Sequence, residues 1–216
     1  VIQDKMTNLF FVAHIFLLTN VVLALNVSFP FQICNQTSVD FDACLRSSIE
    51  KALITLQSGL PDYGIESIEP IKIHNWTVLA SPQLKFEKKY DNWELYNFHT
   101  TKIKSVKTNI GDFQFFLSFV AFDNEVNGQA DYEFSNAILN NVDVSSKGQY
   151  HYTYIDMEYE VSFVGHIEQD GLSNIVITNA DMTLINIGGF ISKFYSTKTE
   201  KAAILTNYFN ANLFLT

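Results

Sequence analysis

The sequence CNQTSVDFDACLRSSIEKALITLQSGLPDYGIESIEPIKI, residues 34–73, decides how the rest of the chain is interpreted. Its apolar side chains recur at spacings of four, four, four and three, at Phe41, Leu45, Ile49, Leu53 and Leu56. This spacing places one apolar stripe along an amphipathic helix. Asp40 is a suitable N-cap, and Gly59 with Pro61 ends the helix, because glycine adopts the left-handed conformation easily and proline cannot continue a helix.

Beyond Pro70 apolar residues alternate with polar ones, a period of two that predicts β-strands. The predicted strands cover residues 71–73, 93–98, 103–110, 113–122, 131–139, 149–163 and 175–187. Glycine-containing pairs stand at 127–128, 147–148 and 188–189. We expect the first two pairs to form hairpin turns and the third to end the last strand.

A second helix is predicted near the end of the sequence, where Thr197 and Glu200 have the spacing of a capping box. Its apolar stripe consists of Ala202, Leu205, Tyr208 and Phe209. No Pro-rich linker, internal repeat or low-complexity segment divides the sequence. With 216 residues, 47% of them apolar, the sequence suits one domain with a substantial core.

The N-terminal segment predicts export. Residues 1–24 are interpreted as upstream residues and a cleaved signal peptide that starts at Met6, and residues 25–216 as the mature domain. The apolar run at 9–25 contains His14 and Asn20 and is shorter than the roughly 20 residues that a membrane span needs. We therefore expect a secreted, extracellular protein with no stable membrane span after cleavage. The alternative is an uncleaved anchor.

Cys34 and Cys44 are the only cysteines of the sequence. In an exported protein, two cysteines so close together predict one disulfide. Glycosylation sequons begin at Asn26, Asn35 and Asn75. Because Asn26 lies too near the predicted cleavage point, Asn35 and Asn75 are the glycosylation candidates, and Asn75 is the stronger since Asn35 lies beside the disulfide.

Charge and motifs exclude several classes of function. The net charge of −9 disfavours nucleic acid and anionic membranes, which select Lys/Arg patches. Nucleophile-elbow, metalloprotease, Walker and dinucleotide-binding motifs do not occur, and the histidines have no metal-binding spacing. Asp156, Glu158 and Glu160 share one strand face, which is typical of a solvated row. We therefore expect no enzyme, no cofactor and no metal site.

The apolar strands offer more burial than one sheet face requires. The strand over 113–122 carries large apolar side chains on both faces, so it needs cover on both sides. Either a two-layer core or a sheet curled around a helix or ligand supplies that cover. In the strand over 149–163 the face with His151, Thr153 and Tyr159 is the drier one and is predicted to point inward. These three residues are candidates to orient the polar end of a ligand.

The same stretch resembles the opening of the insect takeout and juvenile-hormone-binding proteins. The matching residues are the cysteine pair, Phe41-Asp-Ala-Cys44-Leu45, Ser48-Ile49, Leu56, Gly59-Leu60-Pro61, Gly64-Ile65, Pro70 and, further along, Gly148-Gln149-Tyr150. The resemblance implies an α+β, TULIP-like fold, in which a strongly curved antiparallel sheet is wrapped around a long helix and encloses an apolar tunnel. Family members continue into a long C-terminal helix that this sequence lacks, so we expect either a truncated sequence, with a domain incomplete at its C-terminus, or a divergent one.

The resemblance also implies a secreted carrier of a small hydrophobic ligand: a juvenile-hormone-like terpenoid, a fatty acid or a related lipid. The residues expected to line its site are Ile49, Leu53, Leu56, Phe115, Leu117, Phe119, Ile155, Met157 and Phe163. One alternative is a non-enzymatic scaffold or interaction protein of the same fold that has lost the pocket. Another is an enzyme acting on lipid esters, for which the sequence offers no nucleophile. The ligand is the only expected partner, and the oligomeric state stays open.

Overall fold

The structure is a computed structural model that describes residues 31–82, 84–111, 114–169 and 173–212. In chain order its elements are α1 Phe41–Leu56, β1 Ile71–Ile73, β2 Trp76–Val78, β3 Lys88–Tyr96, β4 Lys102–Ile110, β5 Phe115–Phe134, β6 Ile138–Leu139, β7 Val142–Asp143, β8 Ser146–Gln169, β9 Ser173–Tyr195 and α2 Thr199–Ala211. Short 3-10 helices cover Pro61–Tyr63 and Phe98–Thr100. The predicted signal peptide, residues 1–24, lies outside the described residues.

Helix α1 forms where its apolar stripe predicts it. Asp40 occupies the N-cap position, although its side chain makes no capping hydrogen bond to the described backbone. The helix ends before Gly59, which has the predicted left-handed backbone with a φ of 73°. Leu56 is fully buried, so the C-terminal end of the stripe is the end that packs most tightly.

The strands form an antiparallel sheet in the order β1-β3-β5-β8-β9, with β2 also pairing with β3 and β4 with β5. The short β6 and β7 pair with each other. In the pairing of β4 with β5, Val106 lies opposite Phe119 and Thr108 opposite Leu117. The predicted α+β class, an antiparallel sheet with two helices, is confirmed.

All three glycine-containing pairs lie inside strands, so the predicted turns at 127–128 and 147–148 and the predicted strand end at 188–189 are wrong. The glycines serve close packing instead. A Cβ atom on Gly148 would collide with the carbonyl oxygen of Tyr195, and one on Gly128 would collide with the Tyr152 ring. A glycine in a strand is therefore required here where another chain segment approaches closely.

Gly148→Ala is expected to lower the free energy of unfolding by about 1–3 kcal/mol, the usual cost of overpacking, because the colliding atom belongs to the backbone and has little freedom to move. Gly111→Ala is the matched control, since nothing described lies within 4 Å of its added Cβ atom. Urea unfolding followed by circular dichroism measures both variants. Equal stability of the two variants would contradict the close approach at Gly148.

The buried side of β8 changes phase at Asp156, which has a positive φ of 50°. Before it, Tyr150 and Tyr152 are buried; after it, the buried residues are Met157, Tyr159, Val161 and Phe163. A left-handed residue inserted in a strand acts as a bulge that turns the following side chains over. The prediction that the odd-numbered residues of this strand point inward holds only after Asp156. It is wrong for His151 and Thr153, which are half-buried.

The chain forms two compact units, and β5, β8 and β9 contribute residues to both. Unit 1 consists of the described residues up to Glu66 with His99–Phe122 and Glu158–Asn186; unit 2 consists of Ser67–Phe98, Asp123–Met157 and the described residues from Ile187 onward. Within unit 1, α1 packs against β4. The Asp42 carboxylate there accepts a hydrogen bond from the Thr108 hydroxyl at 3.2 Å.

The core of unit 2 is a cluster of aromatic rings closed by α2. From the helix, Ala202, Leu205 and Phe209 are buried in it, as the predicted stripe requires, whereas Tyr208 is only partly buried. The ring centroids of Tyr150 and Phe194 lie 4.4 Å apart. The predicted capping box is wrong, because α2 begins at Thr199 and no side chain caps it within the described chain.

Candidate functional site

The nine residues predicted to line a ligand site do not all fall in one unit. In unit 1 lie Ile49, Leu53, Leu56, Phe115, Leu117, Phe119 and Phe163; in unit 2 lie Ile155 and Met157. Ile49, Leu53 and Ile155 are half-buried, and the other six are buried. The seven residues in unit 1 therefore constitute the candidate apolar site.

Strand β5 supplies one wall of this candidate site. Phe115, Leu117 and Phe119 follow each other at a period of two, so they share one face of the strand, and all three are buried. The ring of Phe119 lies 6.4 Å from that of Phe163 on β8, measured between centroids. The resemblance put both residues in one predicted lining, and the structure brings their rings into contact distance.

The opposite face of the same strands carries polar groups that satisfy one another. The Ser118 hydroxyl donates to the Glu160 carboxylate at 2.5 Å, and the Lys104 ammonium lies 2.8 Å from the carboxylate of Glu158. Both carboxylates, which the sequence assigned to a solvated row, thus have a partner.

Two clefts are described, and both lie in unit 2. The larger, about 270 Å³, is lined by Tyr96, Asn127, Gly128, Gln129, His151, Tyr152, Thr153, Ile191, Ser192 and Lys193. The smaller, about 170 Å³, is lined by Asn92, Glu94, Gln129, Ala130, Asp131, Gln149 and His151. Neither cleft touches any of the nine predicted lining residues. Of the three predicted orienting residues, His151 and Thr153 line the larger cleft, and Tyr159 is buried in unit 1.

A hydrogen-bonded trio organises the polar side of the clefts. Tyr96 donates its hydroxyl proton to Glu94 at 2.6 Å, and Gln129 donates to the same carboxylate at 2.7 Å. Both bonds lower the pKa of Glu94. The bond between Tyr96 and Glu94 also raises the pKa of Tyr96 to about 12. At neutral pH Glu94 is therefore ionised and Tyr96 protonated. Glu94 is the acceptor of the trio, and Tyr96 and Gln129 are its donors.

The tyrosines inside unit 2 are also locked in their neutral form. Burial raises the pKa of Tyr90 and Tyr150 well above the ordinary value, and it raises that of Tyr154 to about 12. The Tyr152 hydroxyl accepts a hydrogen bond from the Trp93 indole at 2.5 Å. These phenols therefore stay protonated at neutral pH.

The described residues contain no group of three or more His, Cys, Asp or Glu side chains placed to hold a metal ion. Neither α1 nor α2, the two helices of the part of the chain that the structure describes, has the length and apolar character that crossing a membrane requires.

The structure contains the predicted disulfide and exposes both glycosylation candidates. Cys34 and Cys44 form a disulfide, with their Cα atoms 5.8 Å apart. Asn35 is exposed, and its side-chain carbonyl accepts hydrogen bonds from the amide and hydroxyl of Thr37 at 3.1 and 2.9 Å. Asn75 is exposed in the connection between β1 and β2. Both glycosylation candidates are therefore accessible at the surface.

Sequence reasoning missed the polar clefts. Tyr96, Gln129 and Lys193 stand on three different strands, β3, β5 and β9, and come together only through strand order. In the sequence each is an ordinary polar residue on an alternating strand, and no motif joins them. Only knowledge of the pairing of β3 with β5 would have put Glu94 opposite Gln129.

Comparisons with known proteins define the relatives of the chain. Residues 14–214 match the family described as haemolymph juvenile hormone binding protein (JHBP). The crystal structure of Epiphyas postvittana Takeout 1 is similar with a TM-score of 0.68 and 15% identity, over 82% of this chain and 81% of that chain. A crystal structure of lipopolysaccharide binding protein matches with a TM-score of 0.37 and 9% identity, over 78% of this chain and 37% of that chain, which is too weak to support an argument. No curated protein matches the sequence.

The likeness to Takeout 1 shows the fold and no more, because the two sequences are only 15% identical. It agrees with the antiparallel sheet and two helices described above. The takeout/JHBP fold class that residues 34–73 predicted by resemblance, a curved antiparallel sheet with two helices, is thereby confirmed, and the apolar tunnel stays a prediction.

Proposed function

Because the chain belongs to the haemolymph juvenile hormone binding protein (JHBP) family, we propose that it is a secreted carrier of a small hydrophobic ligand. The match over residues 14–214 is the observation that carries this proposal. The ligand is a juvenile-hormone-like terpenoid, a fatty acid or a related lipid. The protein performs no covalent chemistry on it and acts by binding and release.

The apolar residues of unit 1 support a site of this kind. Leu56, Phe119 and Phe163 are buried on three different elements, α1, β5 and β8, and none of these side chains has a polar group. A ligand held by such residues gains affinity from apolar burial, at roughly 25 cal/mol per Å² of surface removed from water. Specificity for chain length and branching then follows from packing rather than from hydrogen bonds.

Titration with a fluorescent fatty acid tests the proposal. The protein is expected to bind the probe saturably, and unlabelled palmitate or farnesol should displace it. Displacement separates a defined site from nonspecific adsorption. Fluorescence that rises linearly with the probe concentration and resists displacement would show that the chain has no such site.

A scaffold of the same fold without a pocket is the second candidate. The observation that favours it is that six of the nine predicted lining residues are buried, while neither described cleft reaches any of them. In that case the same residues are only a core. The two candidates differ in whether the apolar side chains of unit 1 can make room for a ligand.

Secretion gives a further test. Expressed with its natural N-terminus in insect cells, the protein is expected in the medium, starting near Leu25 and carrying a glycan at Asn75. Asn75→Gln should remove one glycan mass, and Asn35→Gln serves as the comparison because Asn35 lies beside the disulfide. N-terminal sequencing and intact mass measure these outcomes. An intracellular product that begins at Met6 and has free thiols would contradict export.

A further inference from the structure

Four of the described strands of this sheet have a free side: β1 and β2, which pair only with β3, and β4 and β9. Strand β9 ends the order β1-β3-β5-β8-β9, and β4 pairs only with β5 among the described strands. The outer edge of such a strand presents unpaired N–H and C=O groups, which form a template for a strand from another molecule. How each edge is closed therefore bears on whether copies of this chain associate.

Helix α2 closes the edge of β9 at Ser192. The Ser192 N–H donates to the Asn210 side-chain carbonyl at 2.6 Å, and the Asn210 amide donates to the Ser192 carbonyl at 3.0 Å. The Asn210 carboxamide thus offers one acceptor and one donor to one residue, as a neighbouring strand would. Two positions along, the Phe194 N–H donates to the Thr206 hydroxyl at 2.9 Å.

Side chains of helix α1 and of the residues before it hydrogen-bond the edge of β4 in a similar way. The Glu50 carboxylate accepts a hydrogen bond from the Ile103 N–H at 2.8 Å near the start of the strand. At its end, the Gln36 side chain, which precedes the helix, donates to the Ile110 carbonyl at 3.1 Å. In each unit, therefore, polar side chains bond some backbone groups of an edge strand: Ile103 and Ile110 of β4 in unit 1, and residues 192–194 of β9 in unit 2.

We propose that Asn210 and Thr206 are an edge cap, which prevents a β-strand from a second copy of this chain from adding to β9 at residues 192–194. The docking of α2 does not need these two side chains for burial, because Ala202, Leu205 and Phe209 supply its buried face. Asn210 itself is exposed on the helix. Its side chain hydrogen-bonds the N–H, the carbonyl and the hydroxyl of Ser192 at the strand edge, where an incoming strand would otherwise bond.

Amide hydrogen exchange, read residue by residue by NMR, tests the cap. In Asn210→Ala the Ser192 amide is expected to exchange at least tenfold faster, while the Phe194 amide stays protected by Thr206. In Thr206→Val, which keeps the shape of the side chain, the pattern is reversed. Asn207→Ala is the matched control, since Asn207 is an exposed asparagine of the same helix; it should change neither amide.

Sedimentation velocity of the double variant Asn210→Ala/Thr206→Val tests the consequence. It should self-associate at concentrations at least tenfold lower than the wild-type protein and the Asn207→Ala control. Exchange that accelerates equally over all amides of unit 2 would show a general loss of stability and overturn the cap. Specific exposure of the two amides with unchanged association would overturn the exclusion of a second copy.

Discussion

Phe134→Ala is expected to lower the free energy of unfolding by about 3–5 kcal/mol, the usual cost of removing a large buried aromatic ring. Phe134 is only 1% exposed. Five neighbouring rings, those of Phe86, Tyr90, Tyr132, Phe194 and Phe209, have centroids 4.9–6.4 Å from its own. Because the surrounding rings hold one another in place, the cavity left by the substitution cannot collapse.

Urea unfolding of protein purified from the medium measures this loss, and Phe122→Ala is the control. Phe122 lies in the same strand but is half-buried, so its truncation leaves a smaller cavity and should cost clearly less. Probe binding should be unchanged in Phe134→Ala, because the ring belongs to unit 2. Equal losses for Phe134 and Phe122 would contradict the tight packing of rings around Phe134.

Phe119→Ala is expected to weaken binding of the fluorescent fatty acid about tenfold, which corresponds to about 1.4 kcal/mol. Its stability loss should be smaller than the loss in Phe134→Ala. The reason is that a side chain facing a ligand site already borders space in the empty protein, so its removal creates little new cavity. In a closed core the same truncation would cost the full 3–5 kcal/mol.

Phe116→Ala is the matched control for this experiment. Phe116 is a half-buried phenylalanine of the same strand. It lies on the opposite face of the strand from Phe119. Its truncation should leave probe affinity unchanged. Phe119→Ala could instead lower the free energy of unfolding by the full amount of about 3–5 kcal/mol and bind the probe with the same affinity as Phe116→Ala. Unit 1 would then be a core without a ligand site.

The helix and the strands of this fold are predictable because their periods are strong. The apolar stripe from Phe41 to Leu56 has one interpretation, and Gly59 ends it by a conformation that glycine favours. The apolar strand that begins near Phe115 is predictable for the same reason, although its length is not. Local chemistry determines an element's type more firmly than its end.

The predicted strand ends are wrong where a glycine can serve either in a turn or at a close approach between chain segments. In a sequence, Gly148 after Lys147 reads as a turn; in the fold it lets the Tyr195 backbone approach β8. Gly188 has the same role beside Asp156, since a Cβ atom there would come within 2.8 Å of the Asp156 Cβ atom. Close approach between segments distant in sequence leaves no local mark, so only the structure distinguishes the two uses.

The candidate site was predictable only in part. The period of two put Phe115, Leu117 and Phe119 on one face, and that relation holds. The bulge at Asp156 changed which face of β8 is buried, so His151 and Thr153 line a polar cleft rather than the interior. A single residue with a positive φ is enough to reverse the faces of half a strand, and the alternation of side chains does not reveal it.

Native mass spectrometry tests the carrier function most directly. Protein secreted by insect cells is incubated with palmitate and farnesol, desalted, and measured before and after extraction with organic solvent. The carrier account predicts one noncovalent ligand mass per chain, lost on extraction and reduced in Phe119→Ala but retained in Phe116→Ala. A spectrum that shows only the mass of the unliganded glycoprotein under all these conditions would contradict it.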